Sequence, residues 1–386
     1  MSEFRTIREL CSVVVDCPHS TPKWTANGKI VIRNKNIKHG KIDFSSPSYT
    51  DDEHFAQRIK RAKPQPGDII ITREAPIGDV GMIPENTECC LGQRMVLLRA
   101  NQSVCDNFYL LYSLQSLYVQ HQISWSEGTG TTVSNLRIPH LEQIQIPYLP
   151  LEQQAKISSV LRALEEKIEN NRRLNDNLQQ QAAALFSSLY DRTNTEVRFT
   201  DLIQILGGGT PKTGENTYWN GNIAFFTPKD VGTPYTLITE KTITEEGLSH
   251  CNSRLYPVNT VFVTARGTVG KVGMSGVPMA MNQSCYALVG KETHQLLVYF
   301  YTLKAVDRLK HKASGAVFDA ITTRDFESEQ IMKLSDDDAK TFLCIADPMF
   351  QKVLNNCIEN LRLSTLRDSL LPKLMSGEVD VSAVQL

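Results

Sequence analysis

Basic and polar aromatic side chains in two parts of the sequence have the chemistry needed to bind nucleic acid. The segment Lys29–Lys41 carries several basic residues and no acid, and a second polar segment runs from Thr210 through Trp219. Lys, Arg, Asn, Gln and Thr are the residue types that contact phosphates and base edges. A run of charge more often forms only a solvated face, but its presence in both halves of the chain favours binding. The candidate binding residues are Lys23, Arg33, Lys35, Lys38, Arg73, Arg94, Thr210, Lys212, Trp219, Lys229, Arg266 and Lys271.

Catalytic and metal-binding motifs are not found in the sequence. The segment 267–271 resembles part of a phosphate-binding loop, but Val272 stands where that loop needs Ser or Thr, so a tight β-turn is the better interpretation. The tetrapeptide at 347–350 lacks the second proline of an amino-methyltransferase motif. The nine cysteines contain no CxxC pair and are expected to be free, mostly buried thiols. We therefore expect no catalytic residue, metal or cofactor in this chain.

Size and charge set broad limits on the function. A chain of 386 residues predicts two or three domains. The net charge of −1 provides no overall cationic field, so binding to nucleic acid would have to rely on local clusters. No apolar run approaches the ~20 residues of a membrane helix, and the first residues lack an apolar signal region. We expect a cytoplasmic protein that does not bind membranes.

A long internal repeat organises the chain. Residues 67–84 read GDIIITREAPIGDVGMIP, and residues 259–276 read NTVFVTARGTVGKVGMSG. With an offset of 192 residues, five of the fourteen positions from 69 to 82 are identical and three more are Ile/Val exchanges. Thr21-Pro22-Lys23 also recurs as Thr210-Pro211-Lys212. A period this long indicates a duplicated domain rather than a solenoid, and two similar domains usually recognise similar targets.

Two helical segments follow the β-rich segments. Residues 151–192 lack Pro and Gly, and their apolar positions alternate by four and three, as in a coiled-coil seam. Residues 338–376 show the same alternation, but Pro348 and Pro372 predict that the helix itself runs from about 348 to 371. Each stripe contains two Asn four residues apart, at 171 and 175 and at 356 and 360. Buried Asn would fix the register of the two helices against each other, whereas Asn at the edge of the seam would face water.

These patterns predict an α/β (α+β) fold with two duplicated recognition domains, each followed by a long helix. The two helices are expected to pack as an antiparallel coiled coil, which at 1.5 Å per residue would be a rod of ~60 Å. The predicted segments are a first domain at 1–150, a first helix at 151–193, a second domain at 194–337 and a second helix with a tail at 338–386.

The layout resembles the specificity subunit of type I restriction–modification enzymes. Gly-Gly-Gly-Thr-Pro at 207–211, followed by Tyr-Trp-Asn-Gly at 218–221, is similar to the opening of a target-recognition domain in that family. Thr-Ala-Arg-Gly-Thr-Val-Gly at 264–270 resembles its central strand and turn. The segments 146–157 and 370–379 resemble the entry to the first conserved helix and the end of the second. The first domain departs from the pattern at 16–22 and 73–76, so the two domains are expected to read different sequences.

The resemblance implies a non-catalytic subunit that reads a split double-stranded DNA site. It implies two methyltransferase subunits and motor-nuclease restriction subunits as partners, with S-adenosylmethionine, ATP and Mg²⁺ bound by those partners. Two other hypotheses remain open from the residues. The chain could be a coiled-coil scaffold whose paired domains bind protein or another ligand without DNA, or it could be an enzyme in its own right. The basic clusters favour DNA over the scaffold, and the missing motifs argue against an enzyme.

Overall fold

The structure is a computed structural model that describes residues 3–38, 40–125, 135–232, 234–312, 320–382 and 384. The chain folds as two compact units. Unit 1 comprises Met1–Glu166 and Leu363–Leu386, and unit 2 comprises Lys167–Arg362. Within the described ranges, no helix is long and apolar enough to cross a membrane.

Unit 1 contains the first β-rich region, the first part of one long helix and the last part of another. Its strands are β1 (Glu3–Thr6), β2 (Cys11–Asp16), β3 (Lys29–Ile32), β4 (Ile37–Lys38), β5 (Lys41–Ile42), β6 (Ser48–Thr50), β7 (Ile69–Arg73), β8 (Ile77–Met82), β9 (Cys89–Leu91), β10 (Met95–Ala100) and β11 (Gln145–Tyr148). Its helices are α1 (Ile7–Leu10), α2 (Asp52–Arg58), α3 (Asn107–Gln115), α4 (Leu117–Trp125), α5 (Ile138–Gln143) and the start of α6 (Leu151–Tyr190).

Unit 1 is built around a sheet in the order β2-β10-β7-β8, beside a second sheet in the order β6-β3-β9. Strand β7 is fully buried, and it begins with the apolar run Ile-Ile-Ile that is typical of a strand covered on both faces. Helices α3 and α4 supply buried residues such as Tyr109 and Ile123 to the same apolar cluster as β7. Ile157 and Leu161 of α6 and Leu374 of the C-terminal segment join this cluster, so both helix ends are anchored in the unit 1 core.

Unit 2 repeats this plan. Its strands are β12 (Glu196–Arg198), β13 (Ile203–Gly207), β14 (Trp219–Phe226), β15 (Tyr235–Thr236), β16 (Lys241–Ile243), β17 (Val261–Thr264), β18 (Val272–Ser275), β19 (Met279–Met281), β20 (Cys285–Gly290) and β21 (Gln330–Met332). Its helices are α7 (Phe199–Leu202), α8 (Glu245–Ser249), α9 (Gln295–Lys312), α10 (Thr323–Ser328), the rest of α6 and most of α11 (Asp336–Met375). The main sheet has the order β13-β20-β17-β18-β15, beside a sheet in the order β16-β14-β19.

The repeat seen in the sequence is a repeat of structure. Strand β7 pairs with β8 through Ile69↔Met82, and β17 pairs with β18 through Val261↔Met274, which is the same register after an offset of 192. The buried hydroxyls of Thr72 and Thr264 each accept a hydrogen bond of 2.9 Å from the backbone N–H seven residues later. The expected duplication is therefore confirmed. Residues 267–271 lie in the loop between β17 and β18, which is closed by a hydrogen bond of 2.9 Å from the Gly270 N–H to the Thr264 carbonyl.

The first long helix begins and ends close to its predicted bounds, whereas the second is longer than expected. Helix α11 begins at Asp336 and passes through Pro348, so the prediction that it would begin near 348 is wrong. The Ser335 hydroxyl accepts from the Asp338 N–H at 3.1 Å, and acidic residues in the first turn favour a helix start there. Burial of Phe342 and Ala346 fixes the turns before the proline and offsets the hydrogen bond that proline removes.

The Asn residues of the two stripes meet inside unit 2. The Asn171 amide donates to Asn360 at 2.9 Å, and the Asn356 amide donates to Asn175 at 2.7 Å. The residue number falls on α11 as it rises on α6, so the two helices pack antiparallel, as predicted. Three of these side chains are buried and Asn360 is half-buried, so the Asn residues lie in the seam rather than facing water. Leu366 departs from the predicted stripe because it is 45% exposed.

Replacing Asn356 alone by Leu should destabilise unit 2 by about 1–3 kcal/mol, because the buried side-chain oxygen of Asn175 loses its donor. Replacing Asn175 by Leu as well removes both polar groups and should recover most of that loss. Urea unfolding of the two single variants and the double variant measures the coupling. Losses that simply add in the double variant would contradict a coupled polar layer.

All nine cysteines are free thiols, and five of them are buried, as expected. Burial raises the pKa of the Cys89 thiol to about 12, and burial raises the pKa of Cys90 to about 11 against the lowering effect of the Arg58 charge. Thiols with such high pKa values are poor nucleophiles and poor metal ligands at neutral pH. These side chains therefore act as apolar filling in the core.

Candidate nucleic-acid interface

An open depression of about 300 Å³ in unit 1 collects several of the predicted binding residues. It is lined by Pro22, Trp24, Arg33, Asn34, Lys35, Gly92, Gln93 and Arg94. The Arg33 guanidinium lies over the Trp24 ring, 4.9 Å from its centre. Lys35 is exposed and has no ion-pair partner in the part of unit 1 that the structure describes. The depression therefore combines positive charge, amide groups and an aromatic face, which is the chemistry that binds nucleic acid.

Intramolecular carboxylates neutralise two of the predicted binding residues in unit 1. The Lys23 Nζ lies 3.3 Å from an Asp51 carboxylate oxygen, and the Lys38 Nζ donates to Asp43 at 2.8 Å. The hydrogen bond from Lys38 is the largest cause that holds the pKa of Asp43 far below its usual value. Lys38 is thus already paired in the free protein, whereas Lys35 is available to a ligand.

Arg73 lies inside unit 1 rather than on its surface. Its guanidinium donates to Asp16 at 2.8 Å, to Asn135 at 3.1 Å and to the Leu136 carbonyl at 2.9 Å. These bonds use the Nη1, Nη2 and Nε donors to join the end of β7 to two other parts of the unit. Arg73 therefore does not join the exposed group, and its role in the free protein is to hold the core together.

In unit 2 the glycine-rich opening lies against the backbone of a neighbouring loop. A Cβ added at Gly208 would lie 2.2 Å from the Asn282 carbonyl oxygen, so only glycine fits there. This close approach places Thr210 beside Gln283, and the Thr210 hydroxyl donates to the Gln283 side-chain oxygen. The chain then continues through Lys212, whose side chain is exposed.

An aromatic and cationic group follows that opening in unit 2. The Trp219 indole N–H donates to the Lys212 carbonyl at 3.1 Å, and the Lys241 Nζ lies 5.6 Å from the Trp219 ring centre. Tyr218 stacks on His250 with ring centres 4.9 Å apart. Thr210 and Lys212 thus lie close to Trp219, the first residue of β14, and of these three side chains only that of Lys212 is exposed.

The other three predicted residues of unit 2 lie on two separate segments. Lys229 is 81% exposed and lies 3.8 Å from a Glu240 carboxylate, a weak surface pair. Arg266 and Lys271 flank the turn between β17 and β18 and are exposed, with no ion-pair partner among the described residues of unit 2.

The same side-chain pair stands at equivalent places in the two units. Gln93 lies two residues after β9, and Gln283 lies two residues after β19. The Gln93 amide donates to the Thr21 hydroxyl at 3.3 Å, whereas in unit 2 the direction is reversed and the Thr210 hydroxyl donates to the Gln283 side-chain oxygen. Neither glutamine was among the residues predicted from the sequence, although the repeated Thr-Pro-Lys triplet marks their partners. In each unit the Thr-Pro-Lys loop is thus tied to the turn that precedes β10 in unit 1 and β20 in unit 2.

The described residues contain no cluster of three or more His, Cys, Asp or Glu side chains that could hold a metal. The site instead presents cations, amides and aromatic rings, groups that bind by charge, hydrogen bonding and stacking. Two repeated β-rich units, each of which presents such a set of groups, define the class of proteins with duplicated recognition domains.

The sequence matches the family described as the type I restriction modification DNA specificity domain over residues 3–180 and again over residues 192–333. The chain therefore belongs to this family, the DNA specificity subunits of type I restriction–modification systems. Such subunits are non-catalytic, so the chain is not an enzyme on its own.

Known relatives and a solved structure are similar to this chain over much of its length. It is 23% identical over 342 residues to the type I restriction enzyme MjaIX specificity subunit of Methanocaldococcus jannaschii, covering 82% of this chain and 78% of the relative. It is 28% identical over 186 residues to the HindI specificity subunit of Haemophilus influenzae, covering 47% of this chain and 40% of the relative. The crystal structure of the S subunit from M. genitalium shares the fold, with a TM-score of 0.61, 18% identity and coverage of 96% and 95% of the two chains.

Proposed function

We propose that the chain reads a split double-stranded DNA site, in which each unit contacts one half. The observation that carries this proposal is the Thr–Gln pair repeated at equivalent places in both units, at 21 and 93 and at 210 and 283. Beside each pair stand a lysine of the Thr-Pro-Lys triplet and a tryptophan with a cation over its ring. Two equivalent sites on two self-contained units fit two half-sites better than one continuous site.

In this proposal the exposed cations contact the phosphates of the DNA backbone. Lys35 in unit 1 and Lys212, Arg266 and Lys271 in unit 2 are exposed and lack internal ion pairs among the described residues. Contacts to phosphate fix the register of a protein on a duplex, whereas side chains in grooves read the bases. The near-neutral net charge then matters little, because these cations act locally.

The partners are proposed from the family. Two methyltransferase subunits and the motor-nuclease restriction subunits would assemble with this chain in the cytoplasm. S-adenosylmethionine, ATP and Mg²⁺ would be bound by those subunits, and this chain would bind none of them. The DNA-free scaffold has no support from the family to which the chain belongs.

The proposal is tested with the complex of this chain and its methyltransferase subunits, by finding which duplex DNA sites that complex methylates. Sequencing of modified bases in a genome methylated by that complex should give one motif in two parts, separated by unread base pairs. A continuous motif, or the absence of sequence-specific methylation, would contradict the reading of a split site.

Lys35→Ala should lower the salt dependence of DNA binding by about 0.9 in the slope of log K against log salt, the loss expected for one phosphate contact. Lys38→Ala is the matched control, because Lys38 is already neutralised by Asp43 in the free protein. Its slope should change less. Binding measured over a series of salt concentrations gives both slopes, and equal changes would mean that the Asp43 pair opens on binding.

A further inference from the structure

Arg94 differs from the other cations of the unit 1 depression because a carboxylate orients it. It stands in the turn between β9 and β10 with a φ of 66°, and its Nε lies 3.1 Å from a Glu74 carboxylate oxygen. The Arg94 side chain is 57% exposed and that of Glu74 only 21%. Neither Nη1 nor Nη2 of Arg94 has a hydrogen-bond partner among the described residues. The edge of the guanidinium that carries these two donors is therefore free for a ligand.

The support beneath Arg94 is itself fixed by hydrogen bonds. The Arg73 N–H donates to the Arg94 carbonyl at 2.8 Å, which joins the ends of β7 and β10. The Glu74 carbonyl accepts from the Asn34 amide at 2.7 Å. Asn34 begins a short 3₁₀ turn, and the buried Asn36 of that turn donates to the Asp43 carbonyl at 2.9 Å. Glu74 and Arg94 are thus held by three segments of unit 1.

This arrangement suits a base edge better than a phosphate. Holding a long side chain in one geometry before binding reduces the conformational entropy that binding costs. The free fork of an arginine matches two acceptors in one plane, and in the major groove guanine presents O6 and N7 in that way. A phosphate needs only a mobile cation, which Lys35 already supplies beside Arg94. A nearby carboxylate would weaken a phosphate contact by repulsion.

We propose that Arg94 reads a guanine in the half-site of unit 1, with Glu74 as its positioning residue. This inference rests on the proposed function and adds to it the identity of one base that unit 1 reads. The equivalent turn of unit 2 carries Ser284 after Gln283, so the arginine is a feature of unit 1 alone. The two units then share the Thr–Gln pair as a common support and differ in the side chain beside it, which explains how similar units read different half-sites.

Modified-base sequencing tests this with the whole chain in complex with its methyltransferase subunits. The half-site of unit 1 is the half that stays when residues 167–362 are exchanged for those of a relative. Wild-type complex should require a G·C pair in that half. Arg94→Ala should reduce the preference at that one pair by about 5- to 150-fold, the range expected for one bidentate contact, and leave the other positions unchanged. Glu74→Gln should weaken the preference at the same pair.

Lys35→Ala is the matched control, since it should weaken binding to all sequences equally. A uniform loss in Arg94→Ala with unchanged base preferences would overturn the proposal and make Arg94 a phosphate contact. An unchanged motif in both Arg94→Ala and Glu74→Gln would also overturn the proposal. So would a unit 1 half-site that contains no G·C pair. If Arg94→Ala does not fold, an unchanged preference in Glu74→Gln would contradict the role of the pair. Wild-type complex without a split motif would instead refute the proposed function.

Discussion

Exchanging residues 167–362 for the equivalent region of a relative with another motif should replace one half of the methylated site and leave the other half intact. The reason is that the apolar clusters of unit 2 are built only from residues of unit 2, so the region carries its own core. The recognition loops at 207–221 and 264–271 then move together with the sheet that supports them. Modified-base sequencing of a genome methylated by the hybrid complex measures the outcome.

The boundaries of this exchange follow from packing rather than from the sequence segments. An exchange of 194–337 alone would separate Phe300 from Phe186 and Phe342, whose rings lie 5.0 and 5.1 Å from it. That hybrid is a useful comparison, because it should recognise the new half-site but be less stable whenever the relative packs this cluster differently. The converse exchange of residues 3–148 should replace the other half of the motif. Simultaneous change of both halves in either hybrid would contradict independent reading by the two units.

The sequence could predict those parts of the fold that depend on local pattern. The repeat of 69–82 at 261–274 predicted two similar sheets, because equal spacing of apolar residues, Thr and Gly produces an equal strand register. The alternation of Leu, Ile and Asn predicted the antiparallel helices and the buried Asn layer. Pro348 misled the prediction of where α11 begins, since tertiary burial of Phe342 outweighs the local penalty for proline within a helix.

The candidate site was harder to predict, because a side chain's partners come from distant segments. Lys35 and Lys38 look alike in sequence, yet only Lys38 has an internal carboxylate beside it. Arg73 and Arg94 also look alike, but the first is bonded inside the core and the second faces solvent. Charge type and spacing therefore identified the loop regions. Which cations are free depends on contacts that only the fold creates.

Phe186→Ala should cause the largest loss of stability of any variant considered, about 3–5 kcal/mol, which is the cost typical of removing a buried aromatic ring. Phe186 is 1% exposed, and its ring lies 5.0 Å from Phe300, 5.4 Å from Phe342 and 5.5 Å from Tyr301. It does not belong to the alternating stripe that the sequence revealed, because it faces α9 and α11 together within the core of unit 2. A domain that is stable by 5–15 kcal/mol would lose a large part of that margin.

Leu174→Ala is the matched control, because Leu174 lies on the same helix but is 41% exposed, and its loss should stay below about 1 kcal/mol. Urea unfolding of the full chain, followed by circular dichroism, gives both values. The aromatic cluster joins α6, α9 and α11, so its loss should also loosen the support of the unit 2 loops. Methylation by the Phe186→Ala complex should therefore become less selective in the unit 2 half-site at a temperature where the chain is still folded. Equal urea midpoints for Phe186→Ala and Leu174→Ala would show that the cluster does not hold the helices to the unit 2 core.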